Sequence, residues 1–202
     1  MARGKNTTVK VILSNVRVKT GTVNDNQLTD SMLIDLLNMN VATLARRLSN
    51  VNAPIYMTSA TLTLSAGAYS LTSLAIERVI KLVDSSLGLI SQVLPEEYEN
   101  IQLLSGVHTS SMFFTQEGES IRIFKGATLG SHGTIKLYYY EIPTFATLTS
   151  EKPDLPDSYT SLLIKMLCSD VYSYQNKGQR DAEKEKEIAG DVAGIKQSYG
   201  GR

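Results

Sequence analysis

Tryptophan is absent from this 202-residue sequence, cysteine occurs once and histidine twice. One cysteine excludes an internal disulfide framework and a cysteine-rich zinc site. Two histidines leave little material for a metal centre or a nucleophile–base pair. Neither sign of charge is in excess, because 20 Lys plus Arg balance 20 Asp plus Glu, so the total charge gives no reason to expect nucleic-acid binding. A long apolar run is missing too. The longest uncharged segment, Leu48–Ile76, holds Pro54, Gly67, two Asn and nine Ser or Thr, which makes it far too polar to span a bilayer. The opening residues Met1–Asn6 contain no apolar stretch, so neither a signal peptide nor a membrane partner is expected. These absences point to a soluble binding or structural protein and away from most enzymes.

What is present is a globular composition, 42% hydrophobic and 20% charged, over enough chain to bury a real core. Three regions differ in texture. In residues 1–52 the apolar positions Met32, Leu33, Leu36, Leu37, Val41, Leu44 and Leu48 recur every three or four residues, which predicts a helix. Thr29 or Asp30 can cap its start, Arg46 and Arg47 suit its carboxyl end, and Asn50, Asn52 and Pro54 stop it. Thr7–Lys19 is ambiguous: its valines favour a strand, yet Val9, Ile12, Leu13 and Val16 also form a helical stripe. Arg3, Lys5, Lys10, Arg17 and Lys19 all precede the first acid, Asp25; a solvated face is the simpler reading of this basic stretch, and contact with an anionic partner the sharper one.

Residues 53–145 read as β structure. Thr61–Ser65 alternates with period two and Ala66-Gly67-Ala68 is a turn before Tyr69-Ser70-Leu71. Ile76–Val83 is a strand, Glu117-Gly118-Glu119 is the turn of a hairpin, and Thr134–Ile142 is a strand that follows a glycine-bearing loop over Gly126–Gly133. Pro95, with Glu96, Glu97 and Glu99 behind it, opens a helix that runs to Gly106. Residues 146–202 return to helix after a linker over Pro143–Pro156. Asp157 or Ser158 caps a helix bearing Leu162, Leu163, Met166, Leu167, Val171 and Tyr174, and Gly178 breaks it. A charged helix over Arg180–Lys196 has only a thin stripe, Ile188, Val192 and Ile195, and the tail through Tyr199 is mobile by itself. The expected fold class is α+β: terminal helices packed as a small bundle, with 146–202 joining 1–52 as one helical domain, and an antiparallel β module inserted between them.

No catalytic set emerges. Cys168 lies mid-helix among Leu163, Ile164, Leu167 and Val171, where apolar burial raises a thiol pKa and leaves it inert. His108 and His132 sit in loop-like sequence without a carboxylate at pairing distance along the chain. Glu96, Glu97 and Glu99 suit a helix dipole better than a cation, and Gly126, Gly130 and Gly133 lack the Lys-Ser/Thr pair of a phosphate cradle. No cofactor and no metal is therefore expected. Tyr138, Tyr139 and Tyr140 could stack bases, but strand geometry sends Tyr139 to the face opposite the other two, and packing or a protein interface explains them more simply.

The carboxyl-terminal third carries a more specific pattern. A strand ends Leu137-Tyr138-Tyr139-Tyr140, followed by Ile142-Pro143, Leu148-Thr149, Lys152-Pro153-Asp154-Leu155-Pro156, Tyr159 and an apolar helix. This order resembles tailed-bacteriophage head–tail adaptor (connector) proteins. Thr61–Leu71 looks like that family's first β hairpin, and Val16-Arg17, Gly21 and Leu28-Thr29-Asp30 are similar to its opening two helices, which makes Thr7–Lys19 helical against its propensity. The resemblance implies a virion structural protein without chemistry of its own, made in the host cytoplasm and placed at the head–tail junction. It implies a homo-oligomeric ring, commonly of twelve copies, below the portal protein, a downstream tail or neck protein as second partner, and genomic DNA passing through without specific binding. Partner contacts are expected at Tyr138, Tyr139 and Tyr140 and at Ile188, Val192, Ile195 and Tyr199, with Asp181–Arg202 partly disordered until it meets the portal. The rival readings are a tail-completion or tail-tube component, a small hydrolase using Cys168 and a histidine, and a nucleic-acid binder using the basic amino terminus and the tyrosines.

Overall fold

The computed structural model describes residues 7–63, 68–71, 73–85, 88–94, 96–97, 112–118, 120–125, 128–129, 134–179 and 181–200. The fold is mixed α+β, and the chain divides into two compact units, Met1–Tyr56 with Pro143–Arg202, and Met57–Ile142.

In the first unit the valine-rich segment is helical. Helix α1 spans Val9–Thr20 and buries Val9, Ile12, Leu13 and Val16, so the 3.6-residue stripe prevails over β propensity. Thr8 precedes it without a side-chain cap. Instead the carbonyls of Glu151 and Thr149 accept from the backbone N–H groups of Val9 and Lys10, each at 2.8 Å, and so satisfy two of the donors a helix start leaves orphaned. Gly21, at φ 70°, ends α1, with Thr22 N–H donating back to the Arg17 carbonyl at 2.9 Å. Helix α2 spans Asp30–Asn50, and the Thr29 hydroxyl caps it by accepting from Met32 N–H. Arg17 ties the two helices: one Nη donates to the Leu28 carbonyl at 2.6 Å and to the Asp30 carboxylate at 2.8 Å.

Helix α3, Thr160–Gln175, touches α1, α2 and a fourth helix. It buries Leu162, Leu163, Ile164, Met166, Leu167, Cys168, Ser169 and Val171, almost its whole circumference, as a central helix must. Its start differs from expectation. Asp157–Tyr159 forms a 3-10 turn, and the Asp157 carboxylate accepts from Thr7 N–H at 3.2 Å rather than capping α3. After Lys177 and Gly178, both at positive φ, helix α4 covers Ala182–Gly200. It extends past the expected end at Lys196 and takes in Ser198 and Tyr199, where a loose tail was expected. The Pro143–Pro156 segment is pinned rather than slack. Asn38 exchanges two hydrogen bonds with the Ala146 backbone (2.8 and 3.0 Å). The buried Asp154 accepts from Thr144 N–H through its side chain and from the Tyr56 hydroxyl through its carbonyl.

The second unit is a sheet of strands β1 Met57–Thr63, β2 Ala68–Ser70, β3 Ile76–Asp84, β4 Gly88–Gln92, β5 Met112–Glu117, β6 Ser120–Lys125, β7 Thr128–Leu129 and β8 Thr134–Glu141. Seven run in the order β1-β8-β3-β4-β5-β6-β2, and β7 adds to β6. Leu62, Leu82, Ile90, Phe114, Ile121, Ile123, Ile135, Leu137 and Tyr139 form its core with Leu71 and Met112. Two expectations fail here. The sheet is not wholly antiparallel, because β4 pairs with β5 in parallel; residues 93–111 between them supply the long connection that parallel pairing requires. Among the described residues β1 and β2 do not pair as a hairpin either. They border β8 and β6 at opposite ends of the strand order, since a turn signal fixes where the chain reverses and not which strand it then joins. The hairpin across Gly118 joins β5 to β6, with Glu117 opposite Ser120. β7 occupies part of the expected Gly126–Gly133 loop, whose glycines Gly126, Gly130 and Gly133 lie outside the described residues, as do Ala66-Gly67. Of the helix expected from Pro95, only Glu96 and Glu97 are described, both helical, with the Glu97 carboxylate accepting from Leu94 N–H at 2.9 Å.

Candidate functional site

The three tyrosines of β8 separate by face. Tyr139 continues the Ile135, Leu137 row into the core and is 6% exposed; burial raises its phenol pKa, with Glu141 and Tyr69 adding to the shift. Tyr138 and Tyr140 point to the opposite face. There Lys81 Nζ stands 5.0 Å and Lys136 Nζ 5.1 Å from the Tyr138 ring centroid, while the Arg78 guanidinium stands 5.0 Å from that of Tyr140. Burial raises the Tyr140 pKa, and Arg78 pulls against it. Exposed cation–π pairs contribute about 0.5–1 kcal/mol each, which biases the lysines toward the ring and leaves their charge intact.

Strand alternation alone would not put Arg78 and Lys81 on one face, since they are three residues apart. The register of β3 shifts twice, at Glu77 and at Ile80, and the second shift does so: Arg78 pairs with Tyr140, Val79 with Tyr139 and Lys81 with Tyr138, which leaves Ile80 as an extra residue between them. Across β8, Ser59 faces Tyr138 and Thr61 faces Lys136, both exposed. The result is a sheet face bearing three cations, a half-buried aromatic ring and two hydroxyls. Nothing in a regular strand pattern would bring Arg78, Lys81 and Lys136 together on this face. The adjacent apolar pair Val79-Ile80, which breaks the alternation of β3, was the one available signal.

The other expected contacts lie on α4. Ile188 is buried against the protein's own helices, and Val192, Ile195 and Tyr199 are half-buried. The rest of the α4 attachment is polar. Lys165 of α3 bridges Glu187 at 2.6 Å and Asp191 at 2.8 Å, and these bonds, Asp191 first, raise its pKa. Ser169 donates to Glu185 at 2.7 Å. The Tyr159 and Tyr199 hydroxyls lie 3.5 Å apart, and the Tyr159 pKa is raised chiefly by burial and then by that bond. Asp181 caps the start, its carboxylate accepting from Glu183 and Lys184 N–H groups, and these bonds, that of Lys184 first, lower its pKa. Residues 182–200 are thus helical and packed against α3.

Cys168 is 7% exposed, and burial pushes its thiol pKa up, against the lowering influence of Lys19 and Lys184; a thiol in that state is a poor nucleophile. His108, His132 and Glu99 lie outside the described residues. Among the described residues no His/Cys/Asp/Glu cluster could hold a metal, and no helix is long and apolar enough to cross a membrane. These surfaces can dock other macromolecules through apolar, cationic and hydroxyl groups, and they offer no nucleophile–base pair. A search of curated proteins finds no match to the chain. The family described as SU10 adaptor protein matches residues 7–200. Sharing its pattern over nearly the whole length, the chain belongs to this family of phage head–tail adaptors, which are structural proteins.

Proposed function

We propose that this protein is the head–tail adaptor of a tailed-phage virion, assembling as a ring, commonly of twelve copies, between portal and tail and extending the DNA channel. The observation that carries the reading is the family match over residues 7–200. The structure supports it through the kind of surface it offers. Helix α4 presents the half-buried Val192, Ile195 and Tyr199 along one edge, a surface suited to meet a portal while the helix keeps its seat. The face around Tyr138 and Tyr140 carries Arg78, Lys81 and Lys136 and suits a carboxylate-bearing tail or neck protein. That face points away from the channel, because three cations repeated around a ring would hold the passing duplex by counterion release.

Mixing the protein with the portal of the same phage tests the reading. Electron microscopy and mass measurement should show one ring per portal, seated directly on it. A position further down the tail would assign the protein to tail completion, and no complex at all would overturn the adaptor reading.

A further inference from the structure

Helix α1 carries an outward stripe that its own fold does not use. Val11 is 49% and Val18 67% exposed, and Val23, just past the helix, is 59% exposed. Val11 and Val18 are seven residues apart and therefore share a face, with Ser14 and Asn15 between them. Lys10 flanks the stripe on one side and Lys19 on the other, both exposed, and no acid occurs anywhere in the helix. Valine is a poorer helix former than alanine by up to about 0.7 kcal/mol. At Val9 and Val16 burial offsets that cost, but at Val11 and Val18 nothing within the molecule does.

The same unit carries a counterpart. Leu36, Met39, Asn40, Thr43 and Arg47 of α2, Met166 and Asp170 of α3, and Glu185 and Ile188 of α4 line a groove of about 280 Å³. Its floor is apolar, from the buried Met166 and Ile188, and Met39 stands at its edge 66% exposed. Two carboxylates, Asp170 and Glu185, face one guanidinium there. Asp170 accepts from Asn40 at 2.6 Å and Glu185 from Ser169, so both carboxylates are held in place.

We infer that the Val11–Val18 ridge of one copy seats in the Leu36/Met39/Ile188 groove of the next, with Lys10 and Lys19 set against the carboxylates of Asp170 and Glu185. The occupant is a second copy because the chain itself carries both halves of the match, apolar ridge to apolar groove and basic flank to acidic wall. Ridge and groove share no residue, so one molecule can use both at once. A contact between two different surfaces is heterologous, and it propagates around a ring instead of stopping at a dimer. The inference rests on the ring proposed above and names the surfaces that build it.

Cysteine cross-linking on the portal-bound full-length protein tests it, using Val18→Cys and Met39→Cys. Both sites are exposed, so folding should be unaffected, and the native Cys168 is buried. An oxidised mixture of the two single variants should give a heterodimer, each alone no more dimer than wild type, and the double variant a ladder of multimers. Lys10→Glu with Lys19→Glu should lower the heterodimer yield at least threefold, as should high salt. Homodimers of Val18→Cys would overturn the inference in favour of a two-fold contact. Cross-links from Met39→Cys to the portal would overturn it by giving the groove another occupant. An intact wild-type ring whose mixed variants fail to cross-link would overturn this contact and leave the ring standing, whereas absence of any ring would overturn the adaptor reading itself.

Discussion

Helices α3 and α4 are neighbours in sequence and in contact, yet they are held by opposite means. α3 buries eight side chains and touches three helices. α4, three residues longer, buries only Ile188 among its described residues and otherwise rests on ion pairs and hydrogen bonds at partly exposed positions. Fully buried aliphatic side chains contribute about 1.5–3 kcal/mol each, whereas exposed ion pairs contribute between nothing and about 1 kcal/mol. One helix is therefore part of the fold, and the other is an attachment that can open without unfolding the rest. For an assembly protein this division is useful, because a lightly held element can adjust its outer face to a partner without disturbing the core.

The largest effect expected from this contrast is at the centre of α3. Leu163→Ala, at a fully buried site, should cost about 2–5 kcal/mol of global stability, read as a lower urea midpoint with unchanged slope. Ile188→Ala removes the one buried apolar side chain of α4 among the described residues. It should abolish hydrogen-exchange protection in residues 182–200 while moving the global midpoint by less than about 1 kcal/mol; an equal loss in both readouts would make α4 an integral part of the core. Gly190→Ala and Gly194→Ala act in the opposite direction. Each glycine is helical, and nothing lies within 4 Å of where its Cβ would be, so each change should stabilise α4 by about 1 kcal/mol and raise local protection.

The smallest effect is electrostatic and belongs to the turn beneath α1. Glu151 accepts from the backbone N–H groups of Thr147 and Leu148, and these bonds hold its pKa below the ordinary 4.5. A lowered folded pKa means the folded state binds the proton less readily than the unfolded one. Its contribution is therefore complete above pH 4.5 and fades as pH falls through the lowered value. Glu151→Gln should flatten the acid limb of the stability–pH curve slightly and leave it unchanged near neutrality.

The helices were the legible part of this protein. Three- and four-residue spacing placed α2 and α3, Thr29 marked the start of α2, and the resemblance resolved α1 where propensity and periodicity disagreed. Local signals also placed the β5–β6 hairpin at Gly118 and the burial of Cys168. What escaped was long-range. Nothing in Thr61–Ser70 tells that β1 joins β8 while β2 joins β6, because those partners are fixed by packing across the sheet. The Asp157 carboxylate looked like a cap and instead reaches Thr7, 150 positions away in sequence. At the candidate site the tyrosines were visible, but their cations were not. Lys81 meets Tyr138 only because β3 departs from regular pairing.

That departure gives β3 a tolerance to length. The extra residue Ile80 sits between two stretches whose inward and outward assignments agree, Val79 with Leu82 on one side of the sheet and Arg78 with Lys81 on the other. Loss of a residue from an ordinary strand inverts everything beyond it. Loss of Ile80 would remove one of the two irregularities in β3, with each cation still facing the same way. The chemistry of this surface is thereby insulated from single-residue deletions at its most irregular point.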